Sequence, residues 1–369
     1  LLPAITRFHG APFPSSRTEF QLRVGVVGCG QIGSRRATVI HGSLGDDLVV
    51  VSDVISERSQ ALADAFGCRA AANWMSVTRD ENLDAIVVAT TNDFLAPIAA
   101  DALRHGRHVL VEKPMARNVA EAEELLDAGS DEFAIKVGFN HRFHPALARG
   151  HELVVEGVIG RVIYIRCRYG HGGRPDYHHE WRADRNKSGG GELLDQGIHA
   201  IDLGRWFMGE FDEASGIVDT YVWHGGESAR TAGIGPIKGS SVEDNAFALL
   251  RTTAGQTMCL HASWTQWRNL FSFEVFGDRG HILVEGLGGS YGIERLTVGR
   301  RNMDGGPPDE ETTKFDAPDQ SWVLEWREFT RAISDGRQPM ANGADGLAAL
   351  RAVEAVYTSS RLGSVTRIS

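Results

Sequence analysis

Val24-Gly25-Val26-Val27-Gly28-Cys29-Gly30-Gln31-Ile32-Gly33 is the stretch that decides the fold, because a short apolar run feeds straight into Gly-x-Gly-x-x-Gly. That order predicts a strand, a tight turn and the start of a helix. Gly28 is expected to let the chain turn, Gly30 to leave the backbone bare for a pyrophosphate, and Gly33 to let helix and strand pack closely. Free N–H groups at Gln31, Ile32 and Gly33 would then hold the phosphates. With 43 glycines in 369 residues, the pattern alone is weak evidence. A second apolar run strengthens it: Leu48-Val49-Val50-Val51 leads to Asp53, twenty residues past Gly33. An acidic side chain there accepts hydrogen bonds from a ribose 2′-hydroxyl and repels a 2′-phosphate, so NAD is expected over NADP. Arg58 nearby softens that preference. The bland alternative is a surface Asp after an ordinary buried strand.

Outward from this stretch, strand-like and helix-like segments alternate. Strands are expected at Leu22–Val27, Leu48–Ser52, Ala85–Ala89, Val109–Val111 and Ala134–Val137. Helices are expected from Ile32 and over Gln60–Phe66, Pro97–Arg104 and Ala120–Ala128. Alternation of this kind predicts an α/β fold with a doubly wound parallel sheet. From about residue 161 the expected strands follow one another: Arg161–Arg168, Gly216–Trp223, Asn245–Thr252, Thr257–Thr265, Leu270–Phe276 and His281–Glu285. They read as a large, mostly antiparallel sheet. Arg300–Pro318 reads as a surface loop, and Trp322–Ile333 and Leu347–Ser359 as closing helices. The expected organisation is an irregular extension over 1–21, a dinucleotide-binding domain over 22–145, a substrate and oligomerisation domain over 146–345, and a C-terminal helix and tail over 346–369 lying on the first domain.

A chain of 369 residues exceeds what one core usually supports, in keeping with two domains. Its net charge of −10 argues against nucleic-acid binding, which favours a basic face. Cys29, Cys68, Cys167 and Cys259 are scattered with no Cys-x-x-Cys pair, so reduced thiols in a cytoplasm are expected rather than a disulfide framework or zinc site. No apolar run approaches the eighteen or so residues of a membrane span. The chain starts at Leu rather than Met, which leaves room for a removed leader.

Two groups of residues carry proton chemistry. Val109–Val111 runs into Glu112-Lys113-Pro114 at the carboxyl edge of the sheet, where ligands bind. Lys113 there can bind, orient or deprotonate a substrate hydroxyl; otherwise it is a solvated lysine in a turn. In Gly189–Asp202, a loose glycine-led start becomes helical, and positions 195, 199 and 202 share one face. Asp195 lies one turn before His199 and can raise its basicity or fix its tautomer, which suits a general base. Alternatively His199 is a core histidine satisfied by one carboxylate.

Gly28–Gly33, Ala89-Thr90-Thr91-Asn92, HVLVEKP at His108–Pro114, VGFNHRF at Val137–Phe143, Gly190–Asp202 and DGLAALRAVEAVYTS at Asp345–Ser359 together resemble the Gfo/Idh/MocA oxidoreductases. The resemblance implies a Rossmann domain followed by an α/β domain whose open sheet builds dimers or tetramers. It implies that Thr90, Asn92, Glu112 and Lys113 flank NAD, and that Lys113, Asp195 and His199 are catalytic, as in inositol and sugar dehydrogenases. Members often carry Pro and His where this chain has Thr91 and Leu95. On this reading His199 takes the hydroxyl proton while Lys113 holds the developing alkoxide, with the formal base left open between them.

The polar-aromatic segment His171–Arg182, with Tyr177, Trp181 and Arg182, suits a sugar or cyclitol, and its cations also suit a carboxylate or phosphate. Asn140, His141, Arg142, Trp267, Arg268, Arg185 and Lys187 are further candidates. His171, His178 and His179 match no common metal-ligand spacing, so no metal is expected. The leading reading is an NAD-dependent dehydrogenase of a cyclitol or pyranose secondary alcohol. Alternatives are a sugar-nucleotide dehydrogenase or ketosugar reductase and, from a different class, a cofactor-bound sensor without catalysis.

Overall fold

The computed structural model describes residues 21–43, 45–173, 180–222 and 242–369. Six parallel strands make the first sheet: β1 (Arg23–Val27), β2 (Asp47–Ser52), β3 (Arg69–Ala70), β4 (Ala85–Val88), β5 (His108–Val111) and β6 (Ile135–Val137), in the order β3-β2-β1-β4-β5-β6. The central strands are apolar along nearly their whole length and buried, because helices cover both faces. Those helices are α1 (Gln31–His41), α2 (Ser56–Phe66), α3 (Met75–Thr78), α4 (Asn92–Arg104) and α5 (Val119–Asp127). Strand order reverses between β1 and β4, which opens a crevice at the carboxyl ends of the strands. The segments after β1, β2, β4 and β5 deliver Gly28, Asp53, Thr90 and Lys113 to that edge.

After α6 (Pro145–Val155), nine strands form the second sheet: β7 (Val162–Gly170), β8 (Phe211–Asp219), β9 (Asn245–Thr252), β10 (Thr257–Ser263), β11 (Leu270–Gly277), β12 (Gly280–Glu285), β13 (Glu294–Arg300), β14 (Asp309–Phe315) and β15 (Thr366–Arg367). Their order is β14-β13-β12-β11-β7-β10-β9-β8-β15, and β7 with β10 is the parallel pair. The helices of this half are α7 (Arg185–Ser188), α8 (Ile198–Met208), α9 (Ser321–Ser334) and α10 (Gly343–Leu362). Strand β9 shows why the sheet has two characters: Ala246, Ala248 and Leu250 are buried, whereas Phe247, Leu249 and Arg251 alternate outward and are exposed. Helices α8 and α10 pack against this sheet, and on its other face Phe247 and Leu249 are exposed.

Three expectations need correction. The supposed loop Arg300–Pro318 contains edge strand β14, paired antiparallel with β13. Its sequence Asp-Glu-Glu-Thr-Thr-Lys-Phe is almost wholly exposed, so no apolar alternation announces it, and it is held mainly by backbone pairing with β13, with a Thr297–Thr312 hydroxyl contact at 2.8 Å across the pair. Helix α9 lies within the span assigned to the second domain, yet Trp326, Phe329 and Ile333 share a core with Leu22, Val24, Ala37 and Ile40. The C-terminal tail, assigned to the first domain, instead joins the second sheet through β15 on β8. Helix α10 touches both halves: it lies along β8, and Glu354 accepts a hydrogen bond from the Val119 N–H at 2.8 Å. Among the described residues no helix is long and apolar enough to cross a membrane.

Candidate active site

The glycine turn is built by close packing. Gly28 has φ +94°, and a Cβ there would lie 2.3 Å from the Ala89 carbonyl oxygen. At Gly33 a Cβ would lie 1.7 Å from the Gly28 oxygen, whereas at Gly30 it would meet nothing within 4 Å. Gly30 therefore faces open cavity. Helix α1 has no capping side chain and no acid in its first turn, so its leading N–H groups await an external anion. A bare cradle of donors fits a dinucleotide pyrophosphate. Asp53 also braces this turn, accepting from the Cys29 N–H at 2.7 Å and the Ile55 N–H at 2.8 Å. Each carboxylate oxygen keeps a lone pair for a ribose hydroxyl.

Gly28, Gly30, Gln31, Ile32, Asp53, Thr90, Asn92 and Lys113 line one cavity of about 1230 Å³ that runs on to Asp195 and His199. The amide of Asn92 is engaged, donating to the Ser188 carbonyl at 2.8 Å and so tying α4 to the second half. Glu112 borders the cavity, but its carboxylate is held by the buried Arg36 guanidinium at 2.6 Å, so its role is to anchor α1.

At the far end, Lys113 Nζ donates to the Asp195 carbonyl and to its Oδ1, each at 2.7 Å. Burial pushes the Asp195 carboxyl up, but the Lys113 ammonium and Arg182 guanidinium outweigh it and hold the group below the usual carboxylate range. Arg182 Nε is 3.7 Å from Asp195 Oδ2, and Arg182 also meets Glu180 at 3.3 Å. The expected Asp195–His199 pair does not form. Residues Leu193–Gly197 wind as a π-helical turn, which changes the angular offset between positions 195 and 199 and sends Asp195 to Lys113.

His199 lines the cavity, and its Nδ1 is buried without a hydrogen-bond partner. Its ring stacks on His141 with centroids 3.9 Å apart. Burial, Lys113 and His144 hold its pKa well below 6.5, so it is neutral at neutral pH. His141 is fixed by a chain: Tyr169 lies at its Nε2 at 2.9 Å, Asn140 Oδ1 lies at its Nδ1 at 3.1 Å, and Asn140 donates to Ser321 Oγ at 3.0 Å. Asn140 therefore uses one end of its amide on the His141 ring and the other on Ser321.

The third member of the expected acidic stripe, Asp202, points away from the site. It is fully buried and grips Arg142 at 2.8 and 2.5 Å, with Asp345 joining the pair. Arg142 does not line the cavity, so it is a structural cation rather than a substrate contact. His171 does not line it either; its ring accepts from the Gly173 N–H at 2.9 Å. Trp181 and Arg182 do line it, stacked at 4.6 Å, while Tyr177, His178 and His179 lie outside the described residues. Trp267, Arg268, Arg185 and Lys187 are not on the cavity wall. Sequence reading missed Tyr169, Tyr291, Arg35 and Trp322, all of which line the cavity; only the strand ahead of the His171 segment hinted at Tyr169. Among the described residues no group of three or more His, Cys, Asp or Glu is placed to hold a metal.

Comparison with known proteins agrees with the fold. Residues 22–135 match the family model described as oxidoreductase family, NAD-binding Rossmann fold, and residues 148–283 match the GFO/IDH/MocA C-terminal domain. The 1,5-anhydro-D-fructose reductase of Ensifer adhaerens is 28% identical over 340 residues, 91% of this chain and 94% of that protein. The inositol 2-dehydrogenase of Rubrobacter xylanophilus is 25% identical over 94% of this chain and 93% of its own. The levoglucosan dehydrogenase of Pseudarthrobacter phenanthrenivorans is 29% identical, but the match spans 63% of this chain and 64% of that enzyme. A solved levoglucosan dehydrogenase in complex with NADH and levoglucosan shares the fold with TM-score 0.83 over 95% of this chain and 100% of that one, at 24% identity.

Proposed function

We propose that this chain, which belongs to the GFO/IDH/MocA family of NAD-binding oxidoreductases, interconverts a secondary alcohol and a ketone on an uncharged cyclitol or pyranose ring. The observation that carries the reading is Lys113, clamped by Asp195 in the same cavity as the glycine turn. Gly28, Gly30, Gln31 and Ile32, which line the cavity, would hold the pyrophosphate of NAD, and Asp53 its ribose. Bound NAD would supply the hydride acceptor for the carbinol carbon. Lys113 would hold the reacting oxygen by a charge-assisted hydrogen bond as negative charge develops there. His199, uncharged at neutral pH, would take the hydroxyl proton.

Charge balance supports an uncharged substrate. Among the described residues, both cations at this end of the cavity have carboxylate partners, Lys113 with Asp195 and Arg182 with Glu180 and Asp195. Neither is free for the diphosphate of a sugar nucleotide or a sugar acid. The substrates named for the relatives, inositol, levoglucosan and 1,5-anhydro-D-fructose, fit that description. The sheet face on which Ile217, Phe247 and Leu249 are exposed supports self-association as a dimer or tetramer. Four free thiols support a reducing compartment such as the cytoplasm.

The test is NAD reduction against a panel of inositols, anhydro sugars, free sugars, sugar acids and sugar nucleotides, with NADP in parallel. Turnover of neutral rings with NAD is expected. Turnover confined to sugar nucleotides, or to NADP, would overturn the reading.

A further inference from the structure

Among the described residues, the cations lining the cavity fall into two sets. Lys113 and Arg182, at the proton-handling end, are paired with carboxylates. Arg35 on α1 and Arg58 on α2, on the dinucleotide side, form no ion pair with a described residue. Arg35 is exposed and borders the cavity with Gly30, Gln31 and Ser34.

What Arg35 does touch is an aromatic plate. Its guanidinium carbon lies 5.1 Å from the centre of the Trp322 ring, and Trp322, the second residue of α9, lines the same cavity. The plate is firmly set: the Arg36 guanidinium lies 4.4 Å from the ring centre and is itself held by Glu112 and Glu325 at 2.6 and 2.5 Å. Arg35 is one helical turn beyond Gln31, so it shares that residue's face of α1. At this helix start there is no acid and no capping side chain, and Gly30 opens on space. A dianionic pyrophosphate is the group such a place takes, and a guanidinium binds phosphate oxygens in a two-pronged fashion that a lone ammonium does not.

We propose that Arg35, braced by Trp322, is a phosphate-binding residue for the dinucleotide, so that α9 sets part of the cofactor affinity. This rests on the NAD reading above. The glycine motif gives no sign of it, because Trp322 arrives from the far end of the chain.

The test is fluorescence titration of the full chain with NADH, and displacement of NADH by ADP-ribose, at low and high ionic strength. Arg35→Gln is expected to weaken both ligands about tenfold, the scale of a charge-assisted hydrogen bond, and to flatten the salt dependence. Arg35→Lys should recover only part of the loss. Trp322→Leu should weaken both ligands by a smaller factor. Because Arg35 is exposed, its variants should unfold at the wild-type midpoint. Wild-type affinity and salt dependence in Arg35→Gln would overturn the proposal while leaving the cofactor reading intact. A wild-type chain that binds neither NADH nor NADPH would overturn both.

Discussion

The ammonium of Lys113 is shared between the carbonyl and the carboxylate of Asp195, at 2.7 Å from each. Asp195 thus fixes the position of the Lys113 ammonium through two acceptors at once. Lys113→Met and Asp195→Asn should each lower kcat by about 10² or more while NADH affinity changes little. The double variant should be scarcely worse than the single ones, because the two act as a unit. Steady-state kinetics with an active neutral polyol, alongside NADH titration, gives the answer; near wild-type turnover in both single variants would exclude this site.

Gly30 and Gly33 separate binding from folding. A Cβ at Gly33 would sit 1.7 Å from the Gly28 oxygen, whereas one at Gly30 meets nothing within 4 Å. Gly33→Ala should therefore be strongly destabilised in thermal melts. Gly30→Ala should melt like the wild type yet bind NADH at least about tenfold more weakly, because the methyl occupies the pyrophosphate approach.

The pair Arg142 and Asp202 is predicted to be structural. Asp202→Ala leaves a buried guanidinium with one fewer partner, and removal of one member of a buried pair costs about 3–5 kcal/mol. Asp345 remains in contact and should hold the loss toward the low end of that range. Denaturant unfolding measures it. The surviving folded fraction should keep its KM for substrate; a selective rise in KM with unchanged stability would restore Arg142 to the substrate pocket.

His199 and His141 make stability depend on pH. Burial is the main cause that lowers both, with neighbouring positive groups adding to it, so each binds its proton more readily in the unfolded chain, near pH 6.5. The unfolded state therefore carries more protons below that pH, and stability falls as pH drops through it, by roughly 1.4 kcal/mol per pH unit for each histidine. At pH 7 and above the contribution is fully present. His199→Gln should flatten the urea midpoint between pH 6.5 and 5, and a profile as steep as the wild type would contradict a neutral buried imidazole.

Asp53 should govern cofactor choice. Asp53→Ser removes the ribose acceptor and the negative charge, so kcat/KM for NAD should fall about tenfold and the preference over NADP should narrow. Some stability should go with it, since the same carboxylate holds the Cys29 and Ile55 amides.

Much of this protein was legible from local pattern. Apolar runs set five of the six parallel strands, all but the two-residue β3 at the sheet edge, and the glycine spacing set the turn, because these depend on neighbours a few residues apart. The motif around Lys113, Asp195 and His199 placed three side chains that the fold does bring into one cavity. Pairing was less legible. The spacing of four between Asp195 and His199 suggested a hydrogen bond that the π-helical turn removes, and Asp202 shares their face in sequence but meets Arg142 instead. Strand β14 was invisible because its stability comes from a ladder with β13, not from buried side chains of its own.

What the sequence determined by itself is the parallel sheet, the dinucleotide turn and the chemical types that handle a proton. Only the tertiary structure decided which charge meets which. Arg36 with Glu325, Asn140 with Ser321, Arg142 with Asp202, and Arg35 with Trp322 join residues from 60 to nearly 300 positions apart. A buried charge must find a partner wherever the packed chain supplies one, and that partner is set by the way the two sheets and α9 close on each other, not by distance along the chain.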